Sequence, residues 1–261
     1  MSVRPRTSAS PLPPSHTNLL AAAIATQSYC VADFTSNLEL YFAFDEGTGT
    51  LATDLSGNSR NGTLTNSPTW GTGKIRGALT FVGSSSQYVA TSYAGINGTG
   101  ARTVAFWAKT TDTNAATTAD PVINWGTAGA GAQWLIAIQN GVLWERSVGV
   151  TASFGSGLND GNWHHIAMTM PSGGLCNQIK GYIDGVSQTG SYVGGTTAIN
   201  TGTTYPLNVC TQPANVVYFN GSVDEVRVYS RELTSADVAA LAAWSGGNLA
   251  AQTYYRRIFG G

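Results

Sequence analysis

Short runs of alternating apolar and polar residues, separated by tight-turn signals, dominate the sequence from Leu38 to Arg231. The turn signals are dipeptides that favour two-residue hairpins, because both positions tolerate positive φ. They are Asn61-Gly62, Asn97-Gly98, Asn140-Gly141, Asp160-Gly161, Asp184-Gly185 and Asn220-Gly221. No segment of this region keeps a helical periodicity. The sequence therefore predicts an all-β fold of two stacked antiparallel sheets and argues against βαβ units.

The chain is poor in charged residues. They make up 10% of the 261 residues, against about 25% in an average soluble domain. The formal net charge of -1 gives no electrostatic reason to expect nucleic acid or a membrane surface as a partner. Thr, Ser, Asn, Gln and Gly must make the surface polar instead. That composition is common in extracellular and virion β-proteins.

Two segments flank the β region, residues 1–36 and residues 245–261. The first is an arm with a Ser/Pro-rich run, and its apolar run starts too late for a signal peptide and is too short to span a bilayer. The second is a tail that ends in an aromatic and basic sequence, typical either of a docking peptide or of a loose terminus. Between them lies the β domain, residues 37–244, which ends in one short helix capped by Thr234 with Asp237 at its third position.

The strand that follows Asn220-Gly221 carries a carboxylate in an apolar row. With a period of two, Asp224 shares one face with Val226 and Val228. A buried carboxylate without a partner costs several kcal/mol. Asp224 is therefore expected to meet a cation, an Arg or Lys side chain, or several backbone N–H donors.

A series of short motifs precedes this closing strand in a fixed order. They are Tyr41-Phe42-Ala43-Phe44-Asp45-Glu46-Gly47, Asp54-Leu55-Ser56-Gly57-Asn58 followed by Asn61-Gly62, Leu79-Thr80-Phe81, Val104-Ala105-Phe106-Trp107, Trp163-His164-His165-Ile166-Ala167 and Tyr182-Ile183-Asp184-Gly185, before the closing run from Gly221 to Arg231 with Leu233. Together they resemble the signature of the LamG-like jelly rolls of the concanavalin A-like lectin/glucanase superfamily, over residues 37–244. The resemblance implies a two-sheet antiparallel jelly-roll sandwich with one short C-terminal helix. Lectins, glycosidases, adhesion modules and virion proteins all use this fold, so it does not fix the function.

The resemblance also implies a structural calcium ion. In related glucanases the Asp of the closing strand ligates Ca²⁺ on the convex side, together with oxygens from the first strand and an early loop. The matching positions are Asp224, Asp45, Gly47, Asp54, Asn58 and Gly62. Hard oxygen donors from separate segments suit Ca²⁺. The alternative without a metal pairs Asp224 with backbone N–H groups, with Arg76 or with Arg227.

The catalytic motif of the glucanase branch is missing. That branch carries Glu-x-Asp-x-x-Glu along one strand, and hydrolysis with retention needs two carboxyl groups about 5–5.5 Å apart. None of the glutamates fits this motif: Glu39, Glu46, Glu145, Glu225 and Glu232. The adjacent His164 and His165 point to opposite faces of a strand, so they cannot ligate a metal together. We therefore expect a protein that is not an enzyme.

Sugar binding needs an aromatic platform for a pyranose ring and amides or carboxylates for its hydroxyls. The stretch 124–146 concentrates such residues, and it predicts a site on the concave face or its rim. The predicted contact residues are Trp125, Trp144, Asn124, Asn140 and Glu145. The alternative is that the tryptophans fill the core between the sheets.

Three cysteines are too few for a disulfide-built scaffold in a chain of this length. Cys176 and Cys210 fall on predicted strands and either pair across them or stay reduced. Cys30 in the arm has no evident partner.

These features favour a non-catalytic LamG-like structural or binding protein. The first interpretation is a virion component, such as a bacteriophage capsid decoration or fibre-type protein, whose lectin-like domain faces outward while the arm or the tail docks on other protein chains, in a homo-oligomer or on a capsid or tail protein. The alternative is a carbohydrate-binding or adhesion module of a cellular protein at the extracellular surface, with a structural Ca²⁺. A degenerate glycosidase is the third interpretation.

Overall fold

The computed structural model describes residues 34–113, 120–147 and 149–246. Within them lie nineteen strands, two 3-10 turns (Gly83–Ser85 and Cys176–Gln178) and helix α1 (Ser235–Ala243). The strands are β1 (Leu38–Phe42), β2 (Leu51–Ala52), β3 (Gly62–Thr65), β4 (Thr69–Thr72), β5 (Gly77–Phe81), β6 (Tyr88–Ala90), β7 (Arg102–Lys109), β8 (Pro121–Gly126), β9 (Gln133–Gln139), β10 (Val142–Ser147), β11 (Val150–Phe154), β12 (His164–Met170), β13 (Lys180–Ile183), β14 (Val186–Ser187), β15 (Gly190–Val193), β16 (Tyr205–Val209), β17 (Thr211–Gln212), β18 (Val217–Tyr218) and β19 (Gly221–Tyr229). Most of the predicted arm and tail, and Cys30, lie outside the described residues.

Two large antiparallel sheets pack face to face. The eight-stranded sheet has the order β14-β13-β12-β7-β19-β5-β4, with β1 also paired to β19. The nine-stranded sheet has the order β15-β11-β10-β9-β8-β16-β6-β3-β2, and β17 and β18 form a separate two-stranded ribbon. Because strands from both sheets bury alternate side chains in one core, the predicted all-β jelly-roll sandwich is confirmed.

Strand β19 joins three neighbours in the eight-stranded sheet. It pairs with β7 on one side. On the other side its first residues, 221–223, pair with β5, and its last residues, 226–229, pair with β1. The closing strand of the sequence is therefore also a central strand of its sheet.

A β-bulge at Glu225 decides which face of the sheet Asp224 occupies. Glu225 has a φ of 56°, and the register against β7 shifts between Asp224 and Arg227. Three valines of β19 consequently point into the core: Val223, Val226 and Val228. Asp224 lies opposite Trp107 on the outer face. The prediction that Asp224 shares an apolar row with Val226 and Val228 is wrong, because the extra residue of the bulge inverts the alternation.

A buried charge cluster lies on the outer face of β19. Arg227 Nη2 donates to Glu225 Oε2 at 2.6 Å, and the Tyr41 hydroxyl donates to the same carboxylate oxygen at 2.9 Å. The Arg227 guanidinium is 4.4 Å from the ring centroid of Tyr41 and 4.4 Å from that of Trp244, the residue that follows α1. The cluster therefore holds the end of α1 against the sheet.

Two further ionisable side chains, Arg102 and Glu145, are buried between the sheets. The Arg102 guanidinium is 5.3 Å from the Trp134 ring centroid and donates to Thr201 Oγ1 at 3.0 Å. Glu145, fully buried, accepts a hydrogen bond from Ser147 Oγ at 3.1 Å, and its Oε2 has no partner within the described part of the chain. Burial raises the pKa of Glu145 to about 8, although Ser147 and the charge of Arg102 act in the opposite direction.

Two of the predicted hairpin dipeptides adopt the expected turn. Asn140 and Gly141 have φ of 48° and 74° between β9 and β10, and Asp184 and Gly185 have φ of 51° and 80° between β13 and β14. The hairpin prediction is wrong for the other four dipeptides, whose Asn or Asp residue does not take positive φ. Some of these side chains instead accept backbone N–H groups, as Asn61 Oδ1 does from Asp54 at 2.9 Å, which favours other loop shapes.

Helix α1 begins as the sequence predicts. Thr234 Oγ1 accepts from the Asp237 N–H at 3.1 Å, and Asp237 Oδ2 accepts from the Thr234 N–H at 3.0 Å. This reciprocal pair satisfies two of the N–H groups that the first turn leaves unpaired. Among the described residues, no helix is long and apolar enough to cross a membrane.

Cys176 and Cys210 do not form a disulfide. Both thiols are free and buried, and Cys176 belongs to a 3-10 turn rather than to the predicted strand. Burial raises the pKa of Cys176 to about 11, so this thiol stays protonated and unreactive near neutral pH.

Candidate functional site

The outer face of the nine-stranded sheet carries an accessible surface that is both aromatic and polar. Strands β10, β11 and β15 build it, because their residues alternate between the core and this face. We call the following side chains the outer patch: Trp144, Arg146, Thr151, Ser153, Ser191 and Val193. The backbone register aligns them across the strands, with Trp144 opposite Ser153, which is in turn opposite Ser191.

Trp144 is the aromatic group of the outer patch. Its half-buried indole packs against the buried Leu135 and Ala137 of β9. The Arg146 guanidinium lies 4.9 Å from the Trp144 ring centroid, within cation–π distance. The ring is thus held by the sheet below and by Arg146 at its side, and part of it stays accessible.

A chain of side-chain amides runs beside the outer patch. Gln133 Nε2 donates to Asn124 Oδ1 at 2.6 Å, and Gln212 Nε2, from the β17–β18 ribbon, donates to Gln133 Oε1 at 3.3 Å. Asn215 Nδ2 donates to Gln212 Oε1 at 3.1 Å. Because Asn124 and Gln133 are buried, they stiffen the sheet beside the patch and are not accessible to a ligand from solvent.

Two of the predicted sugar contacts point into the core. Trp125 is fully buried, packs against Trp134 with 6.0 Å between ring centroids, and donates from Nε1 to the Ile96 carbonyl at 3.1 Å. Glu145 is fully buried as well. Successive residues of a strand face opposite sides, so Trp125 cannot share a face with Asn124, nor Glu145 with Trp144. The structure thus places neither Trp125 nor Glu145 on the predicted surface.

The remaining predicted contacts are dispersed over the same sheet. Asn140 is exposed in the β9–β10 turn, and Asn124 is buried in the amide chain. Trp144 is the predicted contact that reaches the outer patch. Sequence reasoning missed Arg146, although its spacing of two residues from Trp144 on one strand puts both on one face. It also missed Thr151 and Ser153, whose position depends on strand pairing.

Two residues of the predicted calcium site, Asp54 and Asn58, already make several hydrogen bonds within the protein. The Asp54 carboxylate already accepts hydrogen bonds from the backbone N–H groups of Tyr41, Ser56 and Arg60 and from the Ser56 hydroxyl. Asn58 donates from Nδ2 to the carbonyls of residues 38 and 39. Gly62 lies in β3, and Gly47 is exposed in the loop after β1. In the described ranges, no three His, Cys, Asp or Glu side chains form a metal-binding group.

Asp45 and Asp224 are two residues of the predicted calcium site, and both accept hydrogen bonds from the loop between β4 and β5. Asp224 Oδ2 accepts from the Ile75 N–H at 2.8 Å, and Asp45 Oδ1 accepts from the Gly77 N–H at 2.8 Å. Burial raises the pKa of Asp224 to about 8, and the charges of Glu225 and Asp45 act in the same direction. Ca²⁺ takes six to eight oxygens, so backbone carbonyls, amide oxygens or water would have to join these two carboxylates in a calcium site. Asp224 Oδ2 thus has a backbone N–H partner, as the alternative without a metal expects, while its buried Oδ1 accepts no hydrogen bond within the described residues. The calcium site stays a prediction.

If Asp224 and its neighbours bind calcium, adding a chelator should lower the melting temperature by several degrees, because an ion that binds only the folded state raises that temperature. Differential scanning calorimetry of wild type and Asp224→Asn, each with excess EDTA and with excess Ca²⁺, measures this. The fall should be absent in Asp224→Asn, and a melting temperature that EDTA leaves unchanged in both proteins would refute the calcium prediction.

The bulge also places two carboxylates, Asp224 and Glu225, on one face of β19. Both are buried, with exposures of 0% and 2%. Glu225 is bound to Arg227 and Tyr41. Neither carboxyl group faces an open groove, so this pair does not provide the acid and nucleophile of a glycosidase.

The two-sheet jelly roll with an aromatic and polar outer patch defines a lectin-like β-sandwich. Residues 83–239 match the Laminin_G_3 family model, described as concanavalin A-like lectin/glucanases superfamily. The match covers more than half of the chain, so the chain belongs to this superfamily. The resemblance drawn from the sequence motifs is confirmed. No curated protein matches the chain.

Solved structures with the same fold include bacterial proteins and a protozoan sialidase. Domain 4 of AbnA, a GH43 extracellular arabinanase from Geobacillus stearothermophilus in complex with arabinotriose, has a TM-score of 0.56 and 21% identity, over 79% of this chain and 98% of that one. The binding domain of Paraclostridial Mosquitocidal Protein 1 has a TM-score of 0.58 and 17% identity, over 79% of this chain and 52% of that one. Trypanosoma rangeli sialidase has a TM-score of 0.54 and 15% identity, over 81% of this chain and 34% of that one. At these identities the likeness establishes the fold alone.

Proposed function

We propose that the chain is a non-catalytic glycan-binding domain that holds an oligosaccharide on the outer patch. The observation that carries the proposal is the accessible Trp144 ring, fixed on the sheet among hydroxyl groups. A pyranose presents an apolar face to such a ring, while its hydroxyls pair with neighbouring polar groups. Ser153 and Ser191, aligned across the strands from Trp144, supply those groups.

The chemistry of the outer patch favours binding without hydrolysis. Its side chains are one indole, one guanidinium, three hydroxyls and one valine, and none is a carboxyl group. Most glycosidases hydrolyse the glycosidic bond with a pair of carboxyl groups at the bound sugar. The Geobacillus arabinanase domain, whose structure contains arabinotriose, supports a sugar-binding role for a sandwich of this size.

The location of the protein stays a prediction. The chain was assigned to a virion, or alternatively to the extracellular surface. That assignment depends on the composition of the chain and on docking through residues 1–36 and 245–261. Of these, the structure describes 34–36 and 245–246. The glycan-binding proposal uses none of them, so it holds for a virion component and for a cellular module alike.

Replacing Trp144 with alanine is expected to weaken glycan binding at least about tenfold, because a central aromatic group contributes much of the binding energy at such sites. A glycan array followed by titration calorimetry with the best ligand measures the change. Trp70→Ala is the matched control, since Trp70 is also half-buried but lies in β4 of the other sheet. No binding by the wild type, or equal effects of the two substitutions, would refute the proposal.

A further inference from the structure

A shallow groove lies between helix α1 and the outer face of the eight-stranded sheet. Its volume is about 280 Å³, slightly below the roughly 300–1,000 Å³ of pockets that enclose drug-sized ligands. Most of its lining is apolar, and Val186 is 63% exposed. The lining residues are Trp107, Asp184, Gly185, Val186, Ala239, Ala242 and Ala243. The groove therefore suits one or two side chains of a peptide rather than a whole oligosaccharide.

Two carboxylates, Asp184 and Asp160, give the groove an acidic rim. Their side chains are 47% and 45% exposed, and His164 lies between them, 2.9 Å from Asp184 Oδ2 and 3.1 Å from Asp160 Oδ1. Hydrogen bonds from Asn162 lower the pKa of Asp160 to about 2, so this carboxylate is charged at neutral pH. A peptide that enters the groove is therefore favoured if it carries a basic residue beside an apolar one.

The chain itself carries such a sequence close to the groove. The described residues end at Gly246, three residues after Ala243 of the groove wall, so at most about 11 Å separates their Cα atoms. The Gly246 carbonyl accepts a hydrogen bond from Arg76 Nη2 at 3.1 Å, which fixes this point on the β4–β5 loop. Residues 247–261 follow and contain the run Tyr254-Tyr255-Arg256-Arg257-Ile258-Phe259. This run combines aromatic and basic residues, as the groove and its rim require.

The length of the intervening segment allows the run to return to the groove. Seven residues, 247–253, precede Tyr254, and an extended chain of that length reaches roughly 25 Å, more than the distance back to Ala243. Closing so short a loop costs little entropy. A short tether also keeps the run at a millimolar effective concentration around the groove, so even a weak contact would be occupied.

We propose that this groove is the intramolecular docking site of the C-terminal tail, with a tyrosine of the pair 254–255 packed against Trp107 and an adjacent arginine paired with Asp184. Lys74 Nζ already lies 4.6 Å from the Trp107 ring centroid, so the arginine belongs on the acidic rim rather than on the ring. The groove and the outer patch lie on different sheets, so this inference does not depend on glycan binding. A docked tail covers the apolar groove and withholds its own aromatic and basic residues from other chains.

Cleavage of the full chain by chymotrypsin tests the proposal, because this protease cuts after aromatic residues and a docked tail hides Tyr254 and Tyr255. Intact-protein mass spectrometry measures the rate of cleavage in the tail. Ala239→Arg, which places a long side chain in the groove, should raise that rate at least about tenfold, since cleavage follows the undocked fraction. Ala236→Arg is the matched control: Ala236 is also exposed on α1 but does not line the groove, and its substitution should leave the rate unchanged.

A change in the tail itself provides a second test that leaves the β-sandwich intact. The double variant Arg256→Gln/Arg257→Gln should also be cleaved severalfold faster than the wild type, and high salt should reduce this difference by screening the acidic rim. Equal rates in the wild type and Ala239→Arg, or in the wild type and the double variant at low salt, would overturn the proposal. Protection that increases with protein concentration, together with a dimer in light scattering, would assign the groove to the tail of a second copy and overturn docking within one chain.

Discussion

Replacing Arg227 with methionine is expected to lower the free energy of unfolding by about 3–5 kcal/mol, because it leaves the Glu225 carboxylate buried without its charge partner. Arg227 and Glu225 are 3% and 2% exposed and 2.6 Å apart. The substitution also removes the cation between Tyr41 and Trp244. For a domain of this size the loss corresponds to a fall of roughly 10 °C in melting temperature, measured by urea unfolding and by calorimetry.

The double variant Glu225→Gln/Arg227→Met separates the cost of an unpaired charge from the cost of lost packing. Removing both charges should recover at least half of the stability lost in the single variant, since replacing a whole buried ion pair is often nearly neutral. A single variant that loses less than about 1 kcal/mol, or a double variant as unstable as the single one, would contradict the structural role of the pair.

Replacing Glu145 with glutamine is expected to stabilise the protein at alkaline pH by on the order of 5 kcal/mol. The pKa of Glu145 rises from 4.5 to about 8 on burial, and each unit corresponds to about 1.4 kcal/mol. A carboxyl group with a higher pKa in the folded chain holds its proton more tightly there. The free energy of unfolding of the wild type therefore falls as the pH rises from about 4.5 to about 8. Glutamine does not titrate, so the variant keeps its stability over this pH range.

The difference in stability between Glu145→Gln and wild type at two pH values isolates this effect. Urea unfolding at about pH 5 and about pH 9 should show the two proteins close together at the lower pH and the variant clearly more stable at the higher one. Groups common to both proteins, including Asp224 with its raised pKa, cancel in the difference. A difference that does not grow with pH would mean that Glu145 is not buried as a titrating acid.

The architecture could be predicted from the sequence because short local patterns specify its strands and turns. Alternating residues and turn dipeptides predict strands without knowledge of their partners, and the order of the motifs from Tyr41 to Arg231 indicates the superfamily. The bulge at Glu225 could not be predicted from the sequence. A glycine at such a position would have signalled positive φ, but this residue is a glutamate with a φ of 56°. Its conformation depends on pairing with β7 and β1, which are distant in sequence.

Only part of the outer patch was predicted from the sequence, because the pairing of distant strands also decides which residues belong to it. The predicted contacts were chosen because aromatic and amide residues are dense in 124–146, and this choice mixed residues from both faces of the sheet. The strict alternation of β10 would have placed Trp144 and Arg146 on one face and Glu145 on the other. The contribution of β11 and β15 could not be obtained in this way. Ser153 and Ser191 approach Trp144 only because three strands pair in register, and register depends on the whole sheet.

The position of β19 among three partners has a consequence for biosynthesis. β1 and the β4–β5 hairpin join the sheet by pairing with residues 221–229, so β1 and one edge of β5 lack their partner strand until this late segment has left the ribosome. Contacts so distant along the chain slow folding. A nascent chain of this kind exposes apolar strands for much of its synthesis, and we expect its yield in cells to depend on chaperones that cover them.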